Sequence, residues 1–382
     1  MIVELRGINT VNKGAELMMR SMVRELADCH DLAVEPRVAS YRERAQLGLL
    51  QKLSHRRIPD GVIGAASRAL PPLLGGHLRK EYGIVSEADV GGVLDASGFA
   101  YSDQFHVERC EIAARRAERW RRLRKAVVLM PQAFGPFTSE RLRKAFVRLV
   151  DNADLVFARE RISYEYVLDV APRSDHVHLT PDFTCLLPGE LPEAFVPNER
   201  LAYVVPSAKL LTKTSAPIRD AYLPFMVRAA DRLRAKGFDV QLLVHERNDA
   251  PVVAALQGLL PFAVPVVRLE NAVHIKGLIG AARVIVASRY HALVSALSQG
   301  VPSLGIGWSH KYETLFDDYG CKEFVVDPTI DDGRLSERLD SLTNAASFEG
   351  LVPGLKERAC AERMKVAKMW DQVRQILGAA GT

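Results

Sequence analysis

Short apolar segments alternate with helix-period stretches along most of this chain of 382 residues. The first segment, Ile2–Ile8, is followed by a polar loop and then by Ala15–Cys29, in which apolar residues recur at helical spacing. This alternation is typical of parallel α/β layers, in which each strand is followed by a helix that covers the sheet. Further strands are predicted at Val90–Ala96, Ala126–Met130, Asp154–Ala158, Ala202–Val205, Val240–Val244, Val284–Ala287 and Val301–Ile306. We therefore expect an α/β protein with doubly wound sheets.

The best candidate for a domain boundary is Leu186–Arg200, a stretch rich in proline that shows no periodicity. It divides the chain into halves of comparable length, each with its own strands and helices. We predict a Rossmann-like domain at residues 1–188 and a second one at residues 200–354. Residues 355–382 are expected to form a helix that packs back across the hinge. Two such domains would face a cleft, with ligands outside the carboxyl ends of the strands.

The composition argues against several classes of protein. Hydrophobic residues make up 48% and charged residues 25%, as in soluble globular proteins. No window approaches the roughly 18 consecutive apolar residues of a membrane span, and the first residues do not resemble a secretory signal. The five cysteines are scattered and form neither a disulfide framework nor a CxxC metal site. We expect a cytoplasmic protein without a bound metal.

The net charge of +5 allows anionic ligands, lipid head groups or nucleic acid. Few aromatic residues interleave the basic clusters, and no nucleic-acid-binding motif is present, so we expect no nucleic-acid partner. The first strand–helix turn, GINTVNKGAE, is not a GxGxxG dinucleotide fingerprint. The motifs GxxxxGK[ST], HExxH and GxSxG are also absent. The informative residues must therefore be identified by their positions.

Three predicted strand–helix junctions carry basic residues at or near the helix start: Arg159, the pair Arg289 and His291, and Lys311. A cation at a helix N-terminus opposes the macrodipole by about 0.3 to 1 kcal/mol. Such placement is reasonable where an anion binds, because helix N–H groups and basic side chains then converge on it. For any single junction, pairing with a nearby acid such as Glu160 or Glu313 is the simpler explanation. For the whole set we favour an anion site, with arginine suited to bidentate capture of phosphate or carboxylate.

Several segments resemble one known family. SRYHALVSALSQGVP at residues 288–302, followed by Lys311, resembles the C-terminal signature of the polysaccharide pyruvyl transferase family. That signature has Arg-x-His at a helix start, Gly-x-Pro at its end and a lysine beyond. Further matches follow the family's order over residues 1–325, although Ala15 replaces an aspartate found in many members. These matches are at Asn12–Met18, Met130–Phe137, Phe157–Ser163 and Pro181–Thr184.

The resemblance implies two Rossmann-like domains related to the GT-B glycosyltransferases. It also implies transfer of a pyruvyl group from phosphoenolpyruvate to a sugar of a cell-surface polysaccharide or exopolysaccharide, usually as a ketal, with release of phosphate. Phosphoenolpyruvate is then a co-substrate, and no cofactor is expected. The family's donor-binding residues carry over to Arg159, Arg289, His291 and Lys311, with Tyr290 contributing its backbone.

Catalytic roles follow from this resemblance. His291 is our candidate proton donor to the enol carbon, because histidine titrates near neutral pH; the alternative is phosphate binding alone. Asp95 is a candidate to take the proton of the sugar hydroxyl. The alternative for Asp95, and the preferred interpretation for Asp103, is that the carboxylate organises its loop.

The start of the first helix is a further candidate binding segment. Asn12, Lys13 and Gly14 are placed to contact the acceptor or the phosphate. The alternative is ordinary helix capping, for which Asn12 is well suited.

Two competing functions stay open. The first is a GT-B glycosyltransferase that uses a nucleotide sugar, and the second is a catalytically silent protein that binds sugars or anions. The basic helix Ala113–Lys125, with Trp120 and Leu123, adds a possible peripheral contact with the inner face of the cell membrane. A solvated helix face is the commoner meaning of such a run. The family's acceptors are often lipid-linked glycans, which agrees with a membrane contact.

Overall fold

The computed structural model describes residues 1–53, 72–171, 175–307 and 309–380. The chain divides into two compact units. The N-terminal unit comprises Met1–Thr10, Ala15–Phe183 and Lys365–Thr382. The C-terminal unit comprises Val11–Gly14 and Thr184–Met364.

The N-terminal unit is built on a parallel sheet in the order β4-β3-β2-β1-β5-β7-β8-β9, with β6 beside β7. Its strands are β1 Ile2–Arg6, β2 Asp31–Val34, β3 Leu50–Lys52, β4 Ile84–Val85, β5 Val90–Asp95, β6 Phe99–Tyr101, β7 Ala126–Phe134, β8 Leu155–Ala158 and β9 Val177–Leu179. Its helices are α1 Lys13–Leu26, α2 Tyr41–Gln46, α3 Pro72–Tyr82, α4 Val107–Arg122, α5 Glu140–Asp151 and α6 Arg161–Val170. The first two residues of α1 are counted with the C-terminal unit.

The C-terminal unit has a parallel sheet in the order β12-β11-β10-β13-β14-β15. Its strands are β10 Leu201–Val205, β11 Asp239–Val244, β12 Val266–Arg268, β13 Val284–Ala287, β14 Ser303–Ile306 and β15 Val325–Val326. Its helices are α7 Lys209–Thr212, α8 Ala216–Ala235, α9 Ala250–Leu259, α10 Ala272–Ala281, α11 Tyr290–Leu297, α12 His310–Asp318, α13 Asp332–Thr343 and the start of α14 Ala345–Ala380. Strands β10, β13 and β14 are buried at every residue, as expected for a sheet covered by helices on both faces. The predicted α/β fold with two parallel sheets is confirmed.

The last helix begins earlier than the periodicity predicts, at Ala345. From Lys365 onwards it belongs to the N-terminal unit, where Trp370 is buried with its ring 5.9 Å from that of Phe183. No helix in the described part of the chain is both long and apolar enough to cross a membrane.

An ion pair lies inside the N-terminal unit, on the strands at one side of its sheet. The ammonium of Lys52 in β3 is 2.7 Å and 2.8 Å from the two carboxylate oxygens of Glu4 in β1, and neither side chain is exposed. Arg6 donates a further hydrogen bond of 2.6 Å to Glu4. Removing one partner of a buried pair leaves an uncompensated charge, which is costly.

We therefore predict that Lys52→Met lowers the free energy of unfolding by about 3 kcal/mol, because the buried Glu4 loses the ammonium group that contacts both of its carboxylate oxygens. Urea unfolding followed by tryptophan fluorescence measures the change, since Trp120 and Trp370 both lie in this unit. Arg79→Ala is the matched control, because it removes an exposed pair with Asp31 and should cost less than about 1 kcal/mol. Equal effects of the two substitutions would contradict the prediction.

Candidate functional site

Polar loops gather at the carboxyl edge of the C-terminal sheet. Because β11, β10, β13 and β14 are parallel neighbours, the loops that follow them emerge at the same edge. The loops contribute Ser207 and Lys209, His245 to Asp249, Ser288 to His291, and Lys311 with Tyr312. Two of the four segments, those with Arg289 and Lys311, were predicted from the sequence, whereas the loops after β10 and β11 were not.

Arg289 is the N-terminal flanking residue of α11 and is only 5% exposed. Its Nε donates to Asp249 at 2.6 Å, its Nη2 donates to the other oxygen of Asp249, and its Nη1 is 2.8 Å from Glu246. Burial by itself lowers the pKa of Arg289, but the hydrogen bonds and charges of Asp249 and Glu246 outweigh it and raise the pKa. Arg289 therefore stays charged, and its guanidinium group is bound by the carboxylates of Asp249 and Glu246.

Further hydrogen bonds join these loops to one another. The Ala208 N–H donates to Asp249 at 2.9 Å, which connects the loop after β10 with the loop after β11. The hydroxyl of Tyr222 accepts from the Ser207 N–H at 2.8 Å and is 2.5 Å from the Ser288 hydroxyl. The positions of Arg289 and its neighbours are thus set by several bonds from different segments.

His291 lies in the first turn of α11, against the start of α1. A Cβ atom placed on Gly14 would lie 2.1 Å from Nδ1 of His291, a separation that no two such atoms can adopt. Lys13, beside Gly14, is buried and donates to the carbonyl of Glu270. Asn12 precedes the helix and is half-buried. The structure therefore brings Gly14 and His291 together, and Gly14 is needed because only glycine leaves room for the imidazole.

Lys311 is the second residue of α12. Its ammonium is 5.1 Å from the ring centre of Tyr290 and 5.5 Å from that of Tyr312, within the range of cation–π attraction. The Tyr290 ring in turn meets the His291 ring edge-on at 5.5 Å. Tyr312 donates to the carbonyl of Ser288 at 3.1 Å. The ring of Tyr290 therefore lies beside both the Lys311 ammonium and the His291 imidazole.

Arg159 belongs to the N-terminal unit, whereas Arg289, His291 and Lys311 belong to the C-terminal unit. It follows β8 directly and is buried. Its guanidinium is 3.3 Å from Glu160 and 3.3 Å from Asp182. The pairing with Glu160, the simpler explanation at this junction, is therefore present.

Asp95 ends β5 and is buried beside its own loop. It accepts hydrogen bonds from the Ser97 N–H at 3.0 Å, from the Ser97 hydroxyl at 2.5 Å and from the Tyr101 hydroxyl at 2.5 Å. Burial, followed by the charge and hydrogen bond of Asp95, raises the pKa of Tyr101 well above its ordinary value. Tyr101 therefore remains a proton donor to Asp95. Asp103 accepts from the Thr138 N–H at 2.8 Å, as a loop-organising carboxylate does.

Asp95 also lines a cavity of about 510 Å³ inside the N-terminal unit. Its lining combines cationic, aromatic and apolar side chains, among them Arg6, Tyr101, Arg109, Arg116, Trp120 and Leu129. The guanidinium of Arg6 lies 5.4 Å from the ring centre of Trp120. The volume lies within the range of about 300 to 1,000 Å³ typical of small-molecule sites. No sequence motif indicates this cavity.

Trp120 faces the interior and not the surface. It is 5% exposed and donates its indole N–H to Glu87 at 3.2 Å. The expectation that Trp120 could touch a membrane is therefore wrong, because this side chain is used in the core. Arg115, Arg121 and Arg122 of α4 are exposed, and a membrane contact stays a prediction.

The residues that sequence reasoning missed follow β11. His245, Glu246 and Asp249 form a polar run directly after the predicted strand Val240–Val244. Lys209, after β10, has a lowered pKa because of burial and then the charge of Arg289. A search for charged residues immediately after every predicted strand of this unit would have found this run.

Comparison with known proteins identifies the family. The model of the family described as polysaccharide pyruvyl transferase matches residues 12–310. The chain belongs to this family. The match includes Gly14, Asp95, Arg159, Arg289 and His291, whereas Lys311 lies one residue beyond it.

Solved structures share the fold of this pyruvyl transferase family member. The glycosyltransferase SnogD from Streptomyces nogalater has a TM-score of 0.55 at 14% identity, covering 100% of this chain and 99% of that chain. The UDP-GlcNAc 2-epimerase from Neisseria meningitidis bound to UDP-GlcNAc has a TM-score of 0.54 at 12% identity, covering 96% and 100%. Anabaena Alr3699/HepE in complex with UDP-glucose has a TM-score of 0.57 at 11% identity, covering 99% of both chains. No curated protein matches the chain in sequence.

The contact between Gly14 and His291 predicts that Gly14→Ala displaces the imidazole, because a methyl group cannot share its position. We expect the NMR signals of the His291 ring to shift while those of His274 stay unchanged. Gly258→Ala in α9 is the control, because open space surrounds Gly258 and the alanine should stabilise the helix by up to about 1 kcal/mol. Unchanged His291 signals in Gly14→Ala would refute the steric argument.

Proposed function

We propose that this protein transfers a pyruvyl group from phosphoenolpyruvate to a sugar of a cell-surface polysaccharide or exopolysaccharide, forming a ketal and releasing phosphate. The observation that carries the proposal is the group of basic side chains at the carboxyl edge of the C-terminal sheet, in a chain that belongs to the polysaccharide pyruvyl transferase family. Lys13, Lys209, Arg289 and Lys311 contribute positive charges there, against the two carboxylates of Glu246 and Asp249.

This charge surplus suits a ligand with a phosphate and a carboxylate close together. His291 and Lys311 are proposed to contact phosphoenolpyruvate directly, with Arg289 held beside them by Asp249 and Glu246. Such an arrangement stabilises anionic oxygens through preorganised donors, so little reorganisation is needed when the ligand binds. Arg159, in the N-terminal unit, is proposed as a donor-binding residue on the basis of the family resemblance alone.

The proposed reaction begins with transfer of a proton from His291 to the terminal enol carbon of phosphoenolpyruvate. The neighbouring carbon becomes electrophilic, and the first sugar hydroxyl forms a C–O bond to it while losing its proton. The C–O bond to phosphate then breaks, and the second hydroxyl attacks the same carbon to close the ketal. One hydroxyl proton balances the proton given to the carbon, and the other leaves with phosphate.

We place the acceptor sugar at the cavity of the N-terminal unit. Asp95 at its wall is the proposed base for the sugar hydroxyl, and the aromatic and cationic walls offer apolar ring contact together with hydrogen-bond donors. Asp95 already accepts bonds from Ser97 and Tyr101, so the hydroxyl would share one of its oxygens.

The glycosyltransferase alternative is supported only at the level of the fold. Solved structures with this architecture include complexes with UDP-GlcNAc and UDP-glucose, at identities of 12% and 11%. Fold similarity of this kind does not carry substrate choice to this chain.

The deciding assay incubates the protein with phosphoenolpyruvate and pooled cell-envelope glycans. We expect phosphate release together with a glycan mass gain that corresponds to one pyruvyl ketal. His291→Ala should abolish both while the protein stays folded, because it removes the proposed proton donor. Sugar transfer from a nucleotide sugar without consumption of phosphoenolpyruvate would overturn the proposal in favour of a glycosyltransferase.

Filling the N-terminal cavity tests the acceptor assignment separately. Ala113 lines the cavity, and Ala113→Trp should raise the KM for the glycan at least about tenfold, because an indole occupies part of a space of about 510 Å³. The KM for phosphoenolpyruvate should stay within a factor of about two. Arg115→Trp, on an exposed position of the same helix, is the control and should change neither constant. A changed KM for phosphoenolpyruvate alone would contradict the assignment.

A further inference from the structure

His245 is a buried histidine at the carboxyl end of β11, directly after Val244. It is 2% exposed. Neither Nδ1 nor Nε2 has a hydrogen-bond partner among the described residues. A buried polar atom without a partner costs about 1 to 3 kcal/mol, so most buried side chains of this kind have one. The two unpaired nitrogens of His245 therefore need a physical explanation.

The charged groups around His245 suggest this explanation. Its neighbours Glu246 and Asp249 are both occupied by Arg289, so no carboxylate of its own loop accepts from the imidazole. The groups whose charges act on His245 are Arg289, His291 and Lys13, and all of them are basic. An imidazole that lies among basic groups, with both nitrogens unsatisfied, is suited to a ligand that carries negative charge.

We propose that His245 is a further phosphate-binding residue of this site and donates a ring N–H to a phosphoryl oxygen of the bound donor. This inference rests on the proposed function for the identity of the donor, phosphoenolpyruvate. Neither the resemblance nor the family match assigns a role to His245. The bound oxygen would satisfy the imidazole in the way that a protein acceptor satisfies most buried histidines.

The charge state of His245 changes with this bond. Burial, followed by the charges of Arg289, His291 and Lys13, lowers the pKa of His245 well below its ordinary value of 6.5, so the free protein holds it neutral near pH 7. An adjacent phosphate favours the protonated form and raises this pKa. Binding of the anion should therefore be accompanied by uptake of a proton from solvent, and binding should weaken as the pH rises.

His245→Phe separates a ligand-binding role from a structural one. An apolar ring of similar shape removes two unsatisfied nitrogens, so the melting temperature should stay constant or rise. Loss of a charge-assisted hydrogen bond should weaken phosphoenolpyruvate binding at least about tenfold. Isothermal titration calorimetry in two buffers of different ionisation enthalpy gives both the affinity and the number of protons taken up, and that number should fall in the variant. His274→Phe, a half-buried histidine of α10 in the same unit, is the control and should change neither.

The outcomes are distinct. A lower melting temperature with unchanged affinity and proton uptake would show a structural histidine and overturn the proposal. Unchanged proton uptake in His245→Phe with loss of uptake in His291→Asn would assign the proton to His291 and also overturn it. If the wild-type protein does not bind phosphoenolpyruvate, the proposed function fails, and the same variants titrated with inorganic phosphate decide the role of His245 independently.

Discussion

The buried guanidinium of Arg289 organises the carboxyl edge of the C-terminal sheet. A charge that cannot be removed by titration is stable in the interior only if it is closely paired, and Asp249 and Glu246 provide that pairing. Both acids follow β11, whereas Arg289 follows β13, and β10 lies between these strands. The ion pairs therefore connect two loops across a third strand. His245 directly precedes Glu246 in the chain, and His291 lies two residues after Arg289, so both histidines flank the residues of this connection.

The sequence predicted the central strands of each sheet but not the outer strands β2, β3, β4, β9, β12 and β15 or the short strand β6. Strands such as Val240–Val244 are recognisable because a parallel strand buried on both faces is a short apolar run. Strand β7 continues to Phe134, beyond the predicted end at Met130. Pro131 suggests an end because proline cannot donate to a ladder, but the pairing with β8 is irregular between Leu129 and Gln132, which accommodates it. Whether a proline ends a strand depends on its neighbours, and these are not local in sequence.

The basic residues of the candidate site could be predicted from the sequence, whereas the residues that position them could not. Arg289 and His291 stand out because cations at a helix start are unusual without an anion. Their partners are remote: Asp249 is 40 residues from Arg289, and Gly14 meets His291 from the start of the chain. No periodicity states that β11 and β13 flank β10, so no sequence pattern brings His245 to this edge. The strand order, which is a tertiary property, supplies that information.

The two histidines at this edge differ in their surroundings. His291 lies on the first turn of α11 with Tyr290 at its edge, and its ring occupies the space that Gly14 leaves. His245 lies directly after β11, next to Glu246 in the chain, and burial together with its basic neighbours keeps it neutral. A neutral imidazole can donate to an oxygen and then accept a proton, whereas a permanently charged arginine can only donate. In the proposed function, an anion at this edge meets the fixed charges of Arg289 and Lys311 and the titratable imidazole of His245. The proposed site would then bind a highly charged ligand without holding the full opposing charge when it is empty.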